Sequence, residues 1–315
     1  MLSRSLRISL TVAKRKVLPI FGLGDNKVRK GCERRIFFAV ETMGTDSAIS
    51  DTLGLASLAE LAKDGHKPDK LYTWKYAPES DGWFRIHNAL RGEMFKFKAV
   101  LEKLASTPLE PWQVSALQTY WQGHSALVHD HHDHEDKLFT PMIKTRCEYP
   151  EKLEADHDEL VALMEEITGI VDELSAGRTP AALLDKFLKY KALMEPHLAE
   201  EEQTVVPILR AFFDQREVAA KVQPMMQEMD PLLMGAFVHH QGSKADFIKF
   251  MRQEGIPFFV WHVNFKSARA KYRAKMETQI QQLLEGKQAS KPLTTKADLQ
   301  LAINCGNRSW MVPIP

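Results

Sequence analysis

The sequence predicts an all-α protein built on an up-down-up-down four-helix bundle. Four segments carry apolar side chains at alternating spacings of three and four residues, the periodicity of one packed face of a helix. The connections between these segments are short, so successive helices should run in opposite directions. We expect the bundle over residues 81–213, after an extension over residues 1–80 and before a helical C-terminal region over residues 214–315.

The four segments begin and end at recognisable helix-terminal signals. Pro150 fits the first turn of the third segment, Gly177 is typical of a residue just after a helix, and Thr179 is a good N-cap for the fourth. The predicted helices span residues 81–105, 112–146, 150–175 and 180–213. The second and fourth should bend, because prolines lie inside them at Pro141, Pro196 and Pro207.

The composition excludes several classes of protein. The net charge of +1 gives no reason to expect a nucleic-acid partner. The chain has no run of apolar residues long enough to predict a membrane span. Three widely spaced cysteines argue against a disulfide framework and favour a reducing compartment. Residues 1–24 contain Lys and Arg but no acidic residue, which favours a mitochondrial transit peptide, the alternative being a plain basic tail on a cytoplasmic protein.

A repeated motif predicts the functional site. His131 and Glu135 are four residues apart, as are His197 and Glu201, so each pair lies on one helix face, one turn apart. In both copies a proline follows six residues after the glutamate. An imidazole and a carboxylate placed in this way can bind a transition metal together. The repeat is much harder to attribute to a solvated helix face than a single cluster would be.

The other two helices each carry one histidine on the apolar stripe, His87 and His157. Counting residues from the loops places all four stripe histidines level to within roughly one helical turn. Burying so many polar groups without compensation would be costly. We therefore predict an internal metal site formed by His87, His131, Glu135, His157, His197 and Glu201. Glu202 lies off the stripe, and its substitution is expected to be nearly neutral.

The motifs His87-Asn-Ala-Leu-Arg91, His131-x3-Glu135, Asp156-His157-Asp-Glu-Leu160 and His197-x3-Glu201 resemble the four helix motifs of the hemerythrin-like, or HHE cation-binding, family. The resemblance covers about residues 80–213. It implies a bundle holding two iron ions in a non-haem centre, with the four histidines as terminal ligands and Glu135 and Glu201 as bridges. Zinc, copper or manganese can bind the same types of residue, with zinc and manganese as the second expectation.

One departure concerns the fifth histidine that oxygen-carrying hemerythrins place one turn after the first on the third helix. Here that position is Val161. His132 could replace it, or could be an ordinary hydrogen-bonded histidine. For His124 the alternatives are that it lines the pocket or that it is an ordinary hydrogen-bonded histidine. Without a fifth imidazole, the reduced centre should react with dioxygen and end oxidised, and it should not carry the gas reversibly.

The expected function is that of a metal-binding protein that engages dioxygen or a related small ligand for sensing, storage or detoxification. An oxidoreductase that reduces peroxide or nitric oxide is the alternative, and a regulatory module that responds to iron supply is another. No protein partner is predicted.

In the C-terminal region, residues 216–286 are expected to be helical and the tail from about residue 287 extended. The apolar run from Gly255 to Trp261 should pack against the bundle. The methionines of this region should fill gaps in a helix interface, and a soft copper site is much the weaker alternative.

Overall fold

The computed structural model describes residues 55–68 and 74–288, all within one compact unit over residues 42–315. The transit peptide predicted for residues 1–24 lies outside the described residues, as does the extended tail beyond residue 288, so both stay predictions. Regular secondary structure in the described residues is entirely helical, and one isolated β-bridge, between Ala62 and Cys147, joins two loops there. The predicted all-α class is confirmed.

The predicted four-helix bundle is present. A short helix α1, Leu55–Glu60, and a 3-10 turn, Pro78–Ser80, precede it. Each bundle helix packs against two neighbours, giving the ring α2, α3, α5, α6 and back to α2. The helices are α2, Gly82–Leu104; α3, Pro111–His134, continued by a π-helical turn, Glu135–Phe139, and by α4, Thr140–Lys144; α5, Glu151–Asp172; and α6, Ala181–Phe212.

Local capping fixes where these helices start, and the apolar stripes fix which face is buried. Asp81 caps α2 by accepting a hydrogen bond from the Trp83 backbone N–H at 3.0 Å. At the start of α3, Pro111 occupies the first turn and the Glu110 N–H donates to the Gln113 side chain at 2.8 Å. The predicted stripe of α2 is fully buried at Leu90, Met94, Phe97 and Leu101.

The two copies of the His-x3-Glu-x5-Pro motif differ in backbone structure. Helix α6 stays α-helical through both Pro196 and Pro207. The copy on α3 instead changes to a π-helical turn at Glu135, where the Thr140 N–H donates to the Glu135 carbonyl five residues back. Pro141 follows directly and has no N–H to donate, so it cannot restore the ordinary pattern at that point.

The C-terminal region is helical, as expected. It contains three separate helices: α7, Gln215–Glu228; α8, Pro231–His240; and α9, Lys244–Gln253. A long helical stretch follows over residues 261–285. In chain order it consists of a π-helical turn, Trp261–Phe265; α10, Lys266–Tyr272; a second π-helical turn, Arg273–Glu277; and α11, Thr278–Glu285. Helices α8 and α11 pack on α2 and α3. Four buried side chains of the long stretch belong to the bundle's hydrophobic core: Tyr272, Met276, Ile280 and Leu283.

Two glycines of the bundle permit this close packing. A Cβ atom added to Gly92 would lie 2.7 Å from Nδ1 of His240, and one added to Gly123 would overlap the side chain of Met276. His240 Nε2 lies 2.7 Å from Oε1 of Glu93, and the Tyr272 hydroxyl donates to the same oxygen. The C-terminal region is therefore fitted into the α2 and α3 surface by shape as well as by buried polar contacts.

The expectation for the Gly255–Trp261 run is wrong in part. Trp261 is buried, but Phe258 and Phe259 are 56% and 63% exposed, and Val263 is 72% exposed. A single helix turns only one face inward, and here Trp261 and Phe265 occupy that face. Met226 and Met234 pack in one apolar cluster and Met225 packs in another, as gap-filling side chains do. Within the described residues, no helix is both long enough and apolar enough to cross a membrane.

Candidate metal centre

The six predicted site residues converge at one level of the bundle, together with His132. They form two groups, and within each group one nitrogen or oxygen atom per residue lies within 4.8 Å of the others. The three-histidine group consists of His132, His157 and His197, and the carboxylate group consists of His87, His131, Glu135 and Glu201. None of the seven side chains belongs to a residue more than 5% exposed.

Each carboxylate faces both groups. Oε1 of Glu135 lies 3.3 Å from Nε2 of His131, while its Oε2 lies 3.5 Å from Nε2 of His157. Oε2 of Glu201 lies 3.3 Å from Nε2 of His87, while its Oε1 lies 3.6 Å from Nε2 of His197. A carboxylate that offers one oxygen to each of two neighbouring imidazole sets has the arrangement of a bridge between two cations.

The converging atoms lack hydrogen-bond partners within the part of the chain that the structure describes. This holds for both oxygens of Glu135 and of Glu201, for both ring nitrogens of His132, and for Nε2 of His87, His131, His157 and His197. Buried polar groups are almost always paired, because leaving them unpaired costs free energy. Imidazole nitrogens and carboxylate oxygens are suitable donors for transition metals, so this set fits a pair of such cations.

Carboxylates outside the cluster are within hydrogen-bond distance of His87 and His157 and close to His197. Nδ1 of His87 lies 3.0 Å from Glu202, and Nδ1 of His157 lies 3.0 Å from Asp136. Nδ1 of His197 lies 3.5 Å from Asp156, at ion-pair distance. A carboxylate that accepts from the outer N–H fixes the ring orientation, leaves Nε2 free to coordinate and makes it more basic.

Glu202 makes contacts that the expectation of a nearly neutral substitution did not take into account. Besides accepting from His87, Glu202 accepts two hydrogen bonds from the Arg91 guanidinium, at 2.6 and 3.0 Å. Burial raises the pKa of Glu202, but its contacts with His87 and Arg91 outweigh this and hold the pKa below its ordinary value. Glu202 lies off the apolar stripe because it reaches sideways to α2, behind His87. The sequence signal for this was Arg91, four residues after His87.

His132 lies in the cluster, and neither of its ring nitrogens has a hydrogen-bond partner among the described residues, which favours its alternative as a fifth imidazole ligand. Its ring stacks on that of His157, with centroids 4.3 Å apart and planes 14° apart, and it lies 5.7 Å from the ring of His197. Adjacent residues on a helix point about 100° apart, so His131 turns toward the carboxylate group and His132 toward the three-histidine group. The cluster therefore contains five imidazoles, and the irreversible oxidation expected from Val161 loses its premise.

His124 follows the other alternative, an ordinary hydrogen bond. It is buried two turns deeper in the bundle, and its Nε2 lies 3.0 Å from the Tyr190 hydroxyl. Burial lowers the pKa of His124 to about 4, so the ring is neutral. It does not belong to either group of the metal centre.

In the absence of metal, two side chains of the cluster have pKa values far from their ordinary ones. Burial, and then the charge of Glu201, raise the pKa of Glu135 to about 8. Burial lowers the pKa of His157, but its contact with Glu201 and the charges of both carboxylates raise it to about 9. Protons therefore occupy part of the cluster at neutral pH, and cations that bind there must displace them.

The fold and the donor set define a four-helix bundle with buried histidine and carboxylate groups that could hold metal ions. A comparison with family models matches residues 80–209 and 149–235 to the hemerythrin HHE cation binding domain. Through residues 80–235 the chain belongs to this family, as its helix motifs predicted. No curated protein and no solved structure matches the chain significantly.

Proposed function

We propose that this chain is a metal-binding protein whose bundle holds two iron ions, and that this centre engages dioxygen or a related small ligand in sensing, storage or detoxification. The observation that carries the proposal is the placement of Glu135 and Glu201, each with one oxygen toward each imidazole set. A mixed imidazole and carboxylate set suits iron, with zinc or manganese as alternatives. Bound iron would supply the redox chemistry.

The two groups offer unequal numbers of protein donors. If each carboxylate contributes one oxygen to each metal, the three-histidine group supplies five donors and His87 with His131 completes a set of four. The metal at His87 and His131 is therefore the one with more room for an external ligand. In this proposal all seven residues are ligands, and Glu202, Asp136 and Asp156 hold three of the histidines in place.

Metal analysis of protein purified from iron-replete cells tests the proposal. We expect two irons per chain in the unaltered protein and at most one in Glu201→Ala, because that variant loses a bridging carboxylate. Glu195→Ala is the matched control: Glu195 is on the same helix, 44% of its side chain is exposed, and it pairs with Lys191. One equivalent of iron or less in the unaltered protein would refute the paired-iron centre.

An oxidoreductase that reduces peroxide or nitric oxide is the second candidate. Nε1 of Trp83 favours it: this N–H is buried without a hydrogen-bond partner among the described residues, the Trp83 ring lies 6.1 Å from the His87 ring, and such a donor stabilises a ligand on which negative charge develops. Its test is turnover: iron-loaded protein should consume peroxide or nitric oxide continuously when a reductant is supplied. If each protein molecule reacted only once, the oxidoreductase function would be refuted and the binding function would remain.

A further inference from the structure

Three large apolar side chains are exposed where the chain leaves α9 and enters the long helical stretch: Phe258, Phe259 and Val263. Five large apolar side chains in all are exposed among the described residues, so three of the five lie within six positions of the chain. Single exposed apolar residues are common on protein surfaces, whereas a group of them marks a site of interaction. We call these three residues the apolar tip.

The chain on both sides holds the apolar tip in an outward position. Helix α9 ends at Gly255, whose φ of +68° lies in the left-handed region, and the Ile256 N–H donates to the Met251 carbonyl at 2.7 Å across this turn. Trp261 follows the tip and is buried, with its ring 5.9 Å from that of Phe247 on α9. The inward positions are therefore already filled, and the tip remains uncovered by the described part of the chain.

Positive charge surrounds the apolar tip. Residues 244–276 contain eight Lys or Arg and two acidic residues, a net charge of +6 in a chain whose total is only +1. The ammonium group of Lys244 lies 5.7 Å from the centre of the Phe258 ring and 5.5 Å from that of Trp261. Lys266 follows Val263 by three residues, less than one helical turn. The tip thus combines exposed apolar side chains with adjacent cations.

Charge argues against a covering of the tip by this chain itself. The two end segments outside the described residues are both positive, with net charges of +5 for residues 1–54 and +2 for residues 289–315. A second copy would bring one surface of charge +6 against another. Like charges that face each other oppose association, so the complementary occupant is an anionic one.

We propose that the apolar tip, with Lys244 and Lys266, docks the protein on the surface of a membrane that contains anionic lipids. Apolar side chains of such a surface enter the boundary between head groups and acyl chains, while lysines extend to the lipid phosphates. This docking needs no partner of matching shape. A stable protein complex, by contrast, buries about 800 Å² on each partner, more than three side chains supply. The proposed metal centre is not needed for this inference.

Flotation of the full chain with lipid vesicles tests the proposal. The vesicles consist of phosphatidylcholine alone or of phosphatidylcholine with about one third phosphatidylserine. We expect binding to the anionic vesicles at least about tenfold tighter than to the neutral ones, and weaker binding as NaCl screens the charges. The double variant Phe258→Ser, Phe259→Ser should weaken binding to the anionic vesicles by about tenfold or more, because it removes the two aromatic rings that enter the bilayer.

A second double variant tests the charge separately. Lys244→Gln with Lys266→Gln should weaken binding to the anionic vesicles about fivefold for each lysine and leave binding to the neutral vesicles unchanged. Matched controls lie on bundle helix α2: Phe95→Ser removes another exposed phenylalanine, and Lys98→Gln removes another lysine. Both controls should bind the vesicles like the unaltered protein. Thermal unfolding should be the same for all variants, which shows that each is folded.

Every other result overturns the proposal in a recognisable way. Equal binding to neutral and anionic vesicles, or none to either, would refute it directly. Binding to anionic vesicles that survives both double variants would assign the contact to another basic segment. Self-association that disappears in Phe258→Ser, Phe259→Ser, without vesicle binding, would make the tip an interface between copies of the chain. Soluble poly-glutamate bound as tightly as the vesicles, with or without the two phenylalanines, would indicate an acidic protein surface instead of lipid.

Discussion

Replacing Glu202 with alanine should weaken metal binding, although Glu202 is not one of the seven proposed ligands. The substitution removes the acceptor of His87 Nδ1 at 3.0 Å and the two carboxylate oxygens that accept from the Arg91 guanidinium. His87 then loses its fixed orientation, and Arg91 keeps a partly buried charge without that partner. Loss of such an outer partner typically costs about 10–100-fold in metal affinity, or about 1.4–2.7 kcal/mol.

Competition with a chelator of known affinity measures this effect on Glu202→Ala and on the unaltered protein. Glu202→Gln should fall between them, because the amide oxygen can still accept from His87. Glu195→Ala is again the control, since Glu195 pairs with Lys191 and an exposed pair four residues apart on a helix contributes only about 0.3–0.5 kcal/mol to stability. If Glu202→Ala bound metal within twofold of the unaltered protein, carboxylate support of His87 would be disproved.

Two further predictions concern the interface between the bundle and the C-terminal region. Gly92→Ala should lower the free energy of unfolding by about 1–3 kcal/mol, because the new Cβ overlaps His240, whereas Gly169→Ala, with open space around its Cβ, should raise it by about 0.5–1 kcal/mol. Urea denaturation measures the free energy of unfolding of both variants. Equal effects would contradict the close contact between Gly92 and His240. The contact with His240 outweighs burial and lowers the pKa of Glu93 to about 2, below its unfolded value of about 4.3. The stability that Glu93 contributes is therefore present above about pH 4.3 and lost as pH falls toward 2, so Glu93→Gln should destabilise the protein more at pH 7 than at pH 2.5. A pH-independent loss would show that its charge is immaterial.

The apolar stripes were sufficient to predict the bundle and the level at which six polar side chains meet, because helix geometry converts spacing into direction. His132 was undecidable from spacing alone. The two groups of candidate ligand atoms lie on either side of the inward line of α3, so His131 on one side and His132 on the other both reach the cluster. The part played by Glu202 depends on which helix lies beside α6, and that is fixed by tertiary packing. The exposure of Phe258 and Phe259 shows the converse, that apolar composition does not specify which face of a helix is covered.

The core shared between α2, α3 and residues 261–285 affects where this chain can be divided. Cutting after the fourth bundle helix would uncover the apolar sides of α2 and α3 and would leave notches at Gly92 and Gly123 where His240 and Met276 now fit. It would also remove His240 and Tyr272, the hydrogen-bond partners of Glu93, whose carboxylate is fully buried in the intact protein. A fragment designed from the metal-binding motifs alone would thus keep every ligand and still expose part of its interior to water. For expression, crystallisation or domain transplantation, the smallest sound fragment extends to the end of α11.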